Sequence, residues 1–134
     1  MDYSKEELKE FMLKEIEIIQ DIIKGMALYS FIVKICAIIS VIALLFLKSL
    51  KYEEVRLASI IVLIFWYLDA YFIWQKRLYK RLYNWVIKNR MHTDEYLFDI
   101  DPYRFKDEEE SVEKIMFSIT LLLFYTSLST LIFQ

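Results

Sequence analysis

The eight residues KRLYKRLY, at positions 76–83, repeat four letters immediately after a long apolar run. On a helix, a repeat of four nearly matches one turn, so equivalent residues align along one face. The basic and amide residues fall within one arc of roughly 140°, and the other side of the helix carries Leu78, Tyr79, Leu82, Tyr83, Trp85 and Val86. This basic arc, the candidate ligand-binding surface, comprises Lys76, Arg77, Lys80, Arg81, Asn84 and Lys88. Such an arc can bind lipid phosphates or a nucleic acid, or it can face water.

Two charged residues interrupt the apolar runs, Lys34 in the first and Asp69 in the second. A charge near the centre of a membrane span costs about 2.5 to 3.5 kcal/mol, so both residues need an explanation. In an antiparallel hairpin that turns between residues 51 and 52, each charge lies 17.5 residues from the turn. The two charges would then share one depth, and one interpretation is an intramembrane salt bridge that pairs the helices.

The other interpretation is that one or both charges face a watery path. Asp69 shares a helix face with Lys76 and Lys80 if the second apolar run continues as one helix. In a ring of subunits, this face would form a narrow pore with a ring of carboxylates, followed by a vestibule lined by the basic arc. Acidic rings favour cations, whereas a basic vestibule concentrates anions such as nucleotides. Both signs fit one path if an anionic ligand in the vestibule gates it.

The remaining reactive residues give little sign of catalysis. Asp107 and Glu110, within the run DEEE, fit a helix-capping pattern, and the alternative is an acidic rim around a cation pathway. His92 has no partner at metal-ligand spacing. The single cysteine, Cys36, lies in an apolar run and is expected to be a small buried side chain. No nucleophile and base pair, phosphate loop or metal motif occurs, so we expect neither an enzyme nor a cofactor.

Composition indicates a chain that needs lipid. Over 134 residues, 57% are hydrophobic and 17% aromatic, while one Gly and one Pro favour long helices. Three apolar runs, at 25–47, 57–74 and 115–133, approach the roughly 20 residues that cross a hydrocarbon core of about 30 Å. The sequence therefore predicts an all-α integral membrane protein, a single membrane domain with three transmembrane helices.

The segments around the spans have predicted roles as well. Residues 1–24 are predicted to form a separate amphipathic helix, capped by Ser4 and Glu7. Its apolar stripe packs on other protein helices or, in the alternative interpretation, lies on the membrane surface, which its mostly acidic polar face suits poorly. The second span is predicted to continue as a basic helix to about residue 90, followed by a polar link over 91–110. The third span is rich in Ser and Thr, which indicates either close helix packing or a wet pore wall.

Lys and Arg are distributed unevenly between the connecting segments. Residues 1–24 and 75–114 carry 13 of them, against 3 in residues 48–56. In a bacterial inner membrane, the positive-inside rule places the N-terminus and residues 75–114 in the cytoplasm and the C-terminus outside. The long second helix would then extend into the cytoplasm.

The run FWYLDAYFIWQKRLYKRLYNWV, residues 65–86, resembles a pattern in small membrane effectors of bacterial anti-phage defence loci. It is most similar to the effectors of Hailong-type systems and, more distantly, to the SLATT group. DPY at 101–103 adds a weaker likeness. The resemblance implies a homo-oligomeric ion channel, for example a tetramer, held closed by a single-stranded deoxyadenylate oligomer. A nucleotidyltransferase encoded nearby would make this ligand, and its loss during infection would open the pore and stop growth.

Two other classes of function fit the same spans. In the first, the protein is a lipid-bound assembly or anchor protein, with the basic arc on anionic lipids and Trp74, Tyr79 and Trp85 at the interface. In the second, it is a toxin that permeabilises membranes without a ligand. A nucleotidyltransferase gene next door would favour the gated channel over the anchor.

Overall fold

The computed structural model describes residues 2–46 and 52–132, and helices dominate both stretches. In chain order they are α1 (Lys5–Phe46), α2 (Tyr52–Asn89), a 3₁₀ helix (Pro102–Glu108), α3 (Val112–Met116) and α4 (Ile119–Ile132). No strand occurs in the part of the chain that the structure describes. The predicted all-α class is therefore confirmed.

Helix α1 joins two segments that the sequence separated. Its N-terminus is capped as predicted, since the backbone N–H of Glu7 donates to Ser4 Oγ at 3.2 Å. The helix then continues without a break through Gly25, where the amphipathic leader was expected to end and the first span to begin. One glycine inside a helix costs only about 1 kcal/mol relative to Ala, too little to end a helix that has helix formers on both sides.

Helix α2 carries both the second apolar run and the basic arc. Its 38 residues end at Asn89, close to the predicted end near residue 90. Helices α1 and α2 are long and apolar enough to cross a membrane by length and composition. The predicted turn between residues 51 and 52 includes residue 51, and residues 47–51 lie outside the described part of the chain.

The third apolar run is not one continuous helix. Phe117 and Ser118 separate α3 from α4, and the Ser118 N–H donates to the Ile115 carbonyl at 3.0 Å. This shorter-range bond closes α3 after five residues. Helix α4 has 14 residues, about 21 Å of helix, which is less than a hydrocarbon core. Three spans are therefore not confirmed.

The predicted cap at Asp107 is wrong. Asp107 lies inside the 3₁₀ helix, which begins earlier, with Asp101 as its N-cap and Pro102 at its first turn. Because an N-cap needs extended backbone, a residue already in helical conformation cannot supply one. The cap of α3 is Ser111, whose Oγ accepts from the Lys114 N–H at 3.4 Å.

The chain divides into two compact units. The first contains the residues up to Ala27 together with Gln75–Glu109, and its core is formed by Ile19, Leu82 and Val86. Residues of α1, α2 and the segment after α2 pack around that core, among them Met12, Tyr79, Trp85, Ile100 and Phe105. We call it the polar unit.

The second unit contains Leu28–Trp74 and the chain from Glu110 onward, and we call it the apolar unit. Its core brings together small and aliphatic residues of α1, α2 and α4 with Ile115 of α3. Cys36 was expected to be buried here, but its side chain is exposed. It lies on an outward face of α1 beside Ile35 and Ile39, which are exposed too.

Candidate functional site

The structure confirms the two faces of α2 around the basic repeat. Leu78, Leu82 and Val86 are buried, as the helical pattern predicted. On the opposite side, Lys80, Asn84 and Lys88 are exposed, while Lys76, Arg77 and Arg81 are partly buried. The arc therefore lies on the surface of the polar unit, where a ligand can reach it.

The acidic run contacts the basic arc instead of capping a helix. Arg81 Nε donates to Glu109 Oε2 at 2.7 Å, and Arg81 Nη1 lies 3.6 Å from Glu108 Oε2. Arg77 Nη1 lies 3.9 Å from Glu109 Oε1. The two arginines are one turn apart, so a single carboxylate reaches both. Part of the predicted binding surface is thus neutralised within the chain.

A groove of about 380 Å³ runs along the other edge of the arc. It is lined by Gln20, Ile23, Lys80, Tyr83 and Asn84. Gln20 Nε2 donates to Tyr83 Oη at 3.4 Å, which orients the ring. Tyr83 lies outside the arc on the helix, yet it shares this groove with two members of the arc. An aromatic ring, an ammonium group and two amides suit a nucleotide, whose base stacks while its phosphate meets the cation.

A second, more polar groove of about 240 Å³ lies between the arc and the 3₁₀ helix. It is lined by Arg81, Asn84, Trp85, Lys88, Asn89, Phe105 and Glu108. Asn84 therefore borders both grooves, and Arg81 and Lys88 line the second groove together with the indole ring of Trp85. Neither Trp85 nor the glutamate was assigned to a ligand site from the sequence.

Lys34 and Asp69 form the predicted ion pair in the apolar unit. Lys34 Nζ lies 2.7 Å from Asp69 Oδ2, and the Asp69 side chain is 0% exposed. Ser30 Oγ also donates to Asp69 Oδ1, and Tyr125 Oη donates to Oδ2 at 3.0 Å. The carboxylate thus accepts bonds from α1 and α4, and Ser30 and Tyr125 are the partners that sequence analysis missed.

This geometry contradicts the expected ring of carboxylates. Asp69 is enclosed by side chains of its own chain, so it does not face a path between subunits. The helical pattern placed it correctly in line with Lys76 and Lys80 but could not reveal that α1 and α4 cover this part of the face. Lys34 keeps 26% of its side chain exposed, which leaves only that member of the pair in reach of solvent or lipid.

The hydroxyl residues of α4 divide between two faces. Tyr125 is buried, as expected for an inward face, but Thr126, Ser127 and Thr130 are exposed. Their hydroxyls donate to carbonyls of the preceding turn, for example Thr126 to Leu122 at 2.6 Å and Ser127 to Leu123 at 2.7 Å. The exposed face of α4 mixes these hydroxyls with Leu122, Leu123 and Leu131, whereas the outward faces of α1 and α2 present mainly Ile, Leu and Phe.

A buried ion pair fixes the end of α2 in the polar unit. Arg90 is 0% exposed, and its Nε donates to Glu15 Oε1 of α1 at 2.6 Å. Its other nitrogens donate to Glu15 Oε2 and to the carbonyls of Thr93 and Glu95. Glu15 and Arg90 are 75 residues apart, and neither was singled out from the sequence.

His92 is exposed in the turn after α2, and the described residues contain no group of three His, Cys, Asp or Glu side chains that could hold a metal ion. No protein-family model, curated protein or solved structure matches this chain significantly.

Proposed function

We propose that the protein is an integral membrane protein that forms a homo-oligomeric ion channel, gated by an anionic nucleotide ligand. The observation that carries the proposal is the division of α2 between two units. Its first part belongs to the apolar unit with the ion pair of Asp69, and its second part presents the basic arc. A ligand on the arc thus binds to the same helix that enters the apolar unit.

Membrane insertion is supported by what the two long helices bury. Only 22% of the most apolar stretch of α1 and 28% of that of α2 are buried within the chain. A core helix of a water-soluble protein would be mostly buried, whereas a helix surrounded by lipid needs no such cover. The proposed setting is a bacterial inner membrane, with the N-terminus and the basic arc in the cytoplasm.

The conduction path is assigned to the exposed face of α4. With Asp69 enclosed, the face around Thr126, Ser127 and Thr130, which Leu123 shares, offers outward hydroxyl groups on the described part of the apolar unit. In a ring of subunits, such faces line a wet pore, and α3 with α4 together approach the length of a span. In this arrangement the C-terminus lies outside the cell.

The ligand is proposed to be a single-stranded DNA oligomer, or another nucleotide anion, that holds the channel closed. The groove beside the arc supports this, because cationic side chains and an aromatic ring together hold single strands. A nucleotidyltransferase encoded nearby would supply the oligomer, and the biological role would be that of an anti-phage effector. Phosphate binding by the arc alone would also fit an anchor on anionic lipids.

The test is the pair of substitutions Lys80→Gln and Lys88→Gln, introduced together. Both side chains are exposed, so folding should persist, and the ion pairs of Arg77 and Arg81 stay in place. The matched control is Lys9→Gln with Lys14→Gln, which removes two exposed lysines of α1 outside the arc. Binding of a fluorescent oligodeoxyadenylate to protein in neutral-lipid nanodiscs is measured over a series of salt concentrations.

We expect the arc variant to bind more weakly, with a salt slope lower by about 1.4, since each phosphate contact contributes about 0.7 on a single strand. Its expression should slow growth without infection, because the channel is no longer held closed. The control should match the parent in both measurements. A parent protein that binds no oligomer, and an arc variant that only detaches from anionic vesicles, would leave the lipid anchor instead.

A further inference from the structure

Glu109 occupies the position on the basic arc that suits a phosphate. Its carboxylate lies 2.7 Å from Arg81 Nε and 3.9 Å from Arg77 Nη1, and its side chain is only 13% exposed. Arginine binds carboxylates and phosphates through the same planar set of N–H donors. A phosphodiester that reaches Arg81 must therefore take the place of this carboxylate.

We propose that Glu109 is a built-in competitor of the anionic ligand, and that ligand binding displaces it from the two arginines. This inference rests on the proposed function and adds its regulation. Glu108 reinforces the competition, since its exposed carboxylate lies 3.6 Å from Arg81 Nη1. The arc is thereby selective for chains of several phosphates. An anion that makes one contact binds the arginines little better than Glu109 does, whereas several linked phosphates bind more tightly and displace it.

The backbone around Glu109 suits such a displacement. The segment from Asp101 to Glu109, which we call the strap, is anchored at its start by the Asp101 cap and by Tyr103, which accepts from Gln75 at 2.7 Å. Most of it is a 3₁₀ helix, whose hydrogen bonds are weaker than those of an α-helix. Glu109 itself is extended and holds the end of the strap against α2.

Displacement of Glu109 affects the segment that leads into α3. Only Glu110 and Ser111 separate it from α3, and α3 is followed by α4, the proposed wall of the pore. Release of the end of the strap therefore frees the chain directly before α3, which leads into the proposed pore helix. Binding energy at the arc is partly used to break the contacts of Glu109, which links ligand occupancy to the state of the pore.

The experiment compares Glu109→Gln with Asp107→Asn, a control that removes the same charge from an exposed residue of the strap. Binding of the fluorescent oligodeoxyadenylate is measured in neutral-lipid nanodiscs. Glu109→Gln should bind three- to tenfold more tightly than the parent, an effect of about the size expected for a partly exposed charged pair. Asp107→Asn should gain less than twofold. Equal gains in both variants would reduce the effect to net charge and overturn the inference.

A second measurement needs no variant and so does not depend on one folding correctly. In the parent protein, the oligomer should increase hydrogen exchange of residues 102–111 while protecting the part of α2 that carries the arc. No increase in the strap on binding would overturn the inference, even though the proposed function would survive. A parent protein that binds no oligomer would overturn both. Release of the strap by phosphatidylglycerol alone would assign Arg81 to lipid and contradict the inference.

Discussion

Replacement of Arg90 by Met should destabilise the last turns of α2 and the turn that follows them. The guanidinium is fully buried and donates to both oxygens of Glu15, so its removal leaves a carboxylate that is 1% exposed without its cation. Breaking a buried ion pair from one side costs about 3 to 5 kcal/mol. The carbonyls of Thr93 and Glu95 also lose a donor, although Glu95 is exposed enough to bind water instead.

Hydrogen exchange measured by mass spectrometry detects this loss locally. Since about 1.4 kcal/mol corresponds to a factor of ten, amides of residues 82–96 should exchange at least about 100-fold faster in Arg90→Met. The matched control is Lys88→Met, which removes an exposed cation two residues earlier, in the last turn of α2. It should leave the exchange rates of this segment within about threefold of the parent.

The double variant Glu15→Met with Arg90→Met separates charge from packing. When both charges are gone, no ion remains buried without a partner, so the double variant should exchange more slowly than Arg90→Met alone. A recovery of about tenfold relative to Arg90→Met corresponds to about 1.4 kcal/mol, and the coupling energy is larger than this by the cost of Glu15→Met alone. Exchange in Arg90→Met that matches the Lys88→Met control, or single effects that simply multiply in the double variant, would refute the role of this pair.

Three further predictions concern the apolar unit and the topology. Asp69→Asn should reduce the yield of assembled protein on a sizing column, and adding Lys34→Met should restore part of it; additive losses would rule out the pair. Tyr125→Phe removes one donor to Asp69 and should lower the free energy of unfolding by about 1 to 2 kcal/mol, measured as a lower Tm, whereas an unchanged Tm would contradict the bond. In a Cys36→Ser background, Thr93→Cys should resist a membrane-impermeant maleimide on intact cells and react in inverted vesicles; labelling of intact cells would reverse the topology.

The helical periodicity of the sequence was enough to predict α2 and its two faces around the basic repeat. Strong apolar runs with few glycines led to long helices, and the repeat of four residues led to a helix with Leu78 and Leu82 buried. The ion pair of Lys34 and Asp69 was predicted correctly because, in two antiparallel helices, residues equally far along the chain from the connection lie side by side. These predictions depend only on local regularity and on one simple pairing of neighbouring helices.

The failures share a different physical origin. Whether Cys36 points inward depends on which face of α1 meets α2, and an evenly apolar helix does not specify that face. The run DEEE fits a helix cap by its composition. Its contact with Arg77 and Arg81 depends on how the segment after α2 packs on that helix, which local sequence patterns do not reveal. Glu15 and Arg90 were overlooked for the same reason, since each resembles an ordinary surface charge until their helices meet.

The position of Asp69 changes how a channel could be built from this chain. A carboxylate that already accepts bonds from Ser30, Lys34 and Tyr125 has its charge balanced and its oxygens occupied, so it stabilises the packing of α1, α2 and α4. In the proposed channel, because the polar groups around Asp69 bond to one another, the water-filled path would form from outward faces in an assembly of several copies. The hydroxyls of α4 satisfy their own helix and still present oxygen atoms outward, which lets them line such a path without a fixed charge. Selectivity would then come from the ligand and the basic arc at the cytoplasmic side, not from a ring of carboxylates in the membrane.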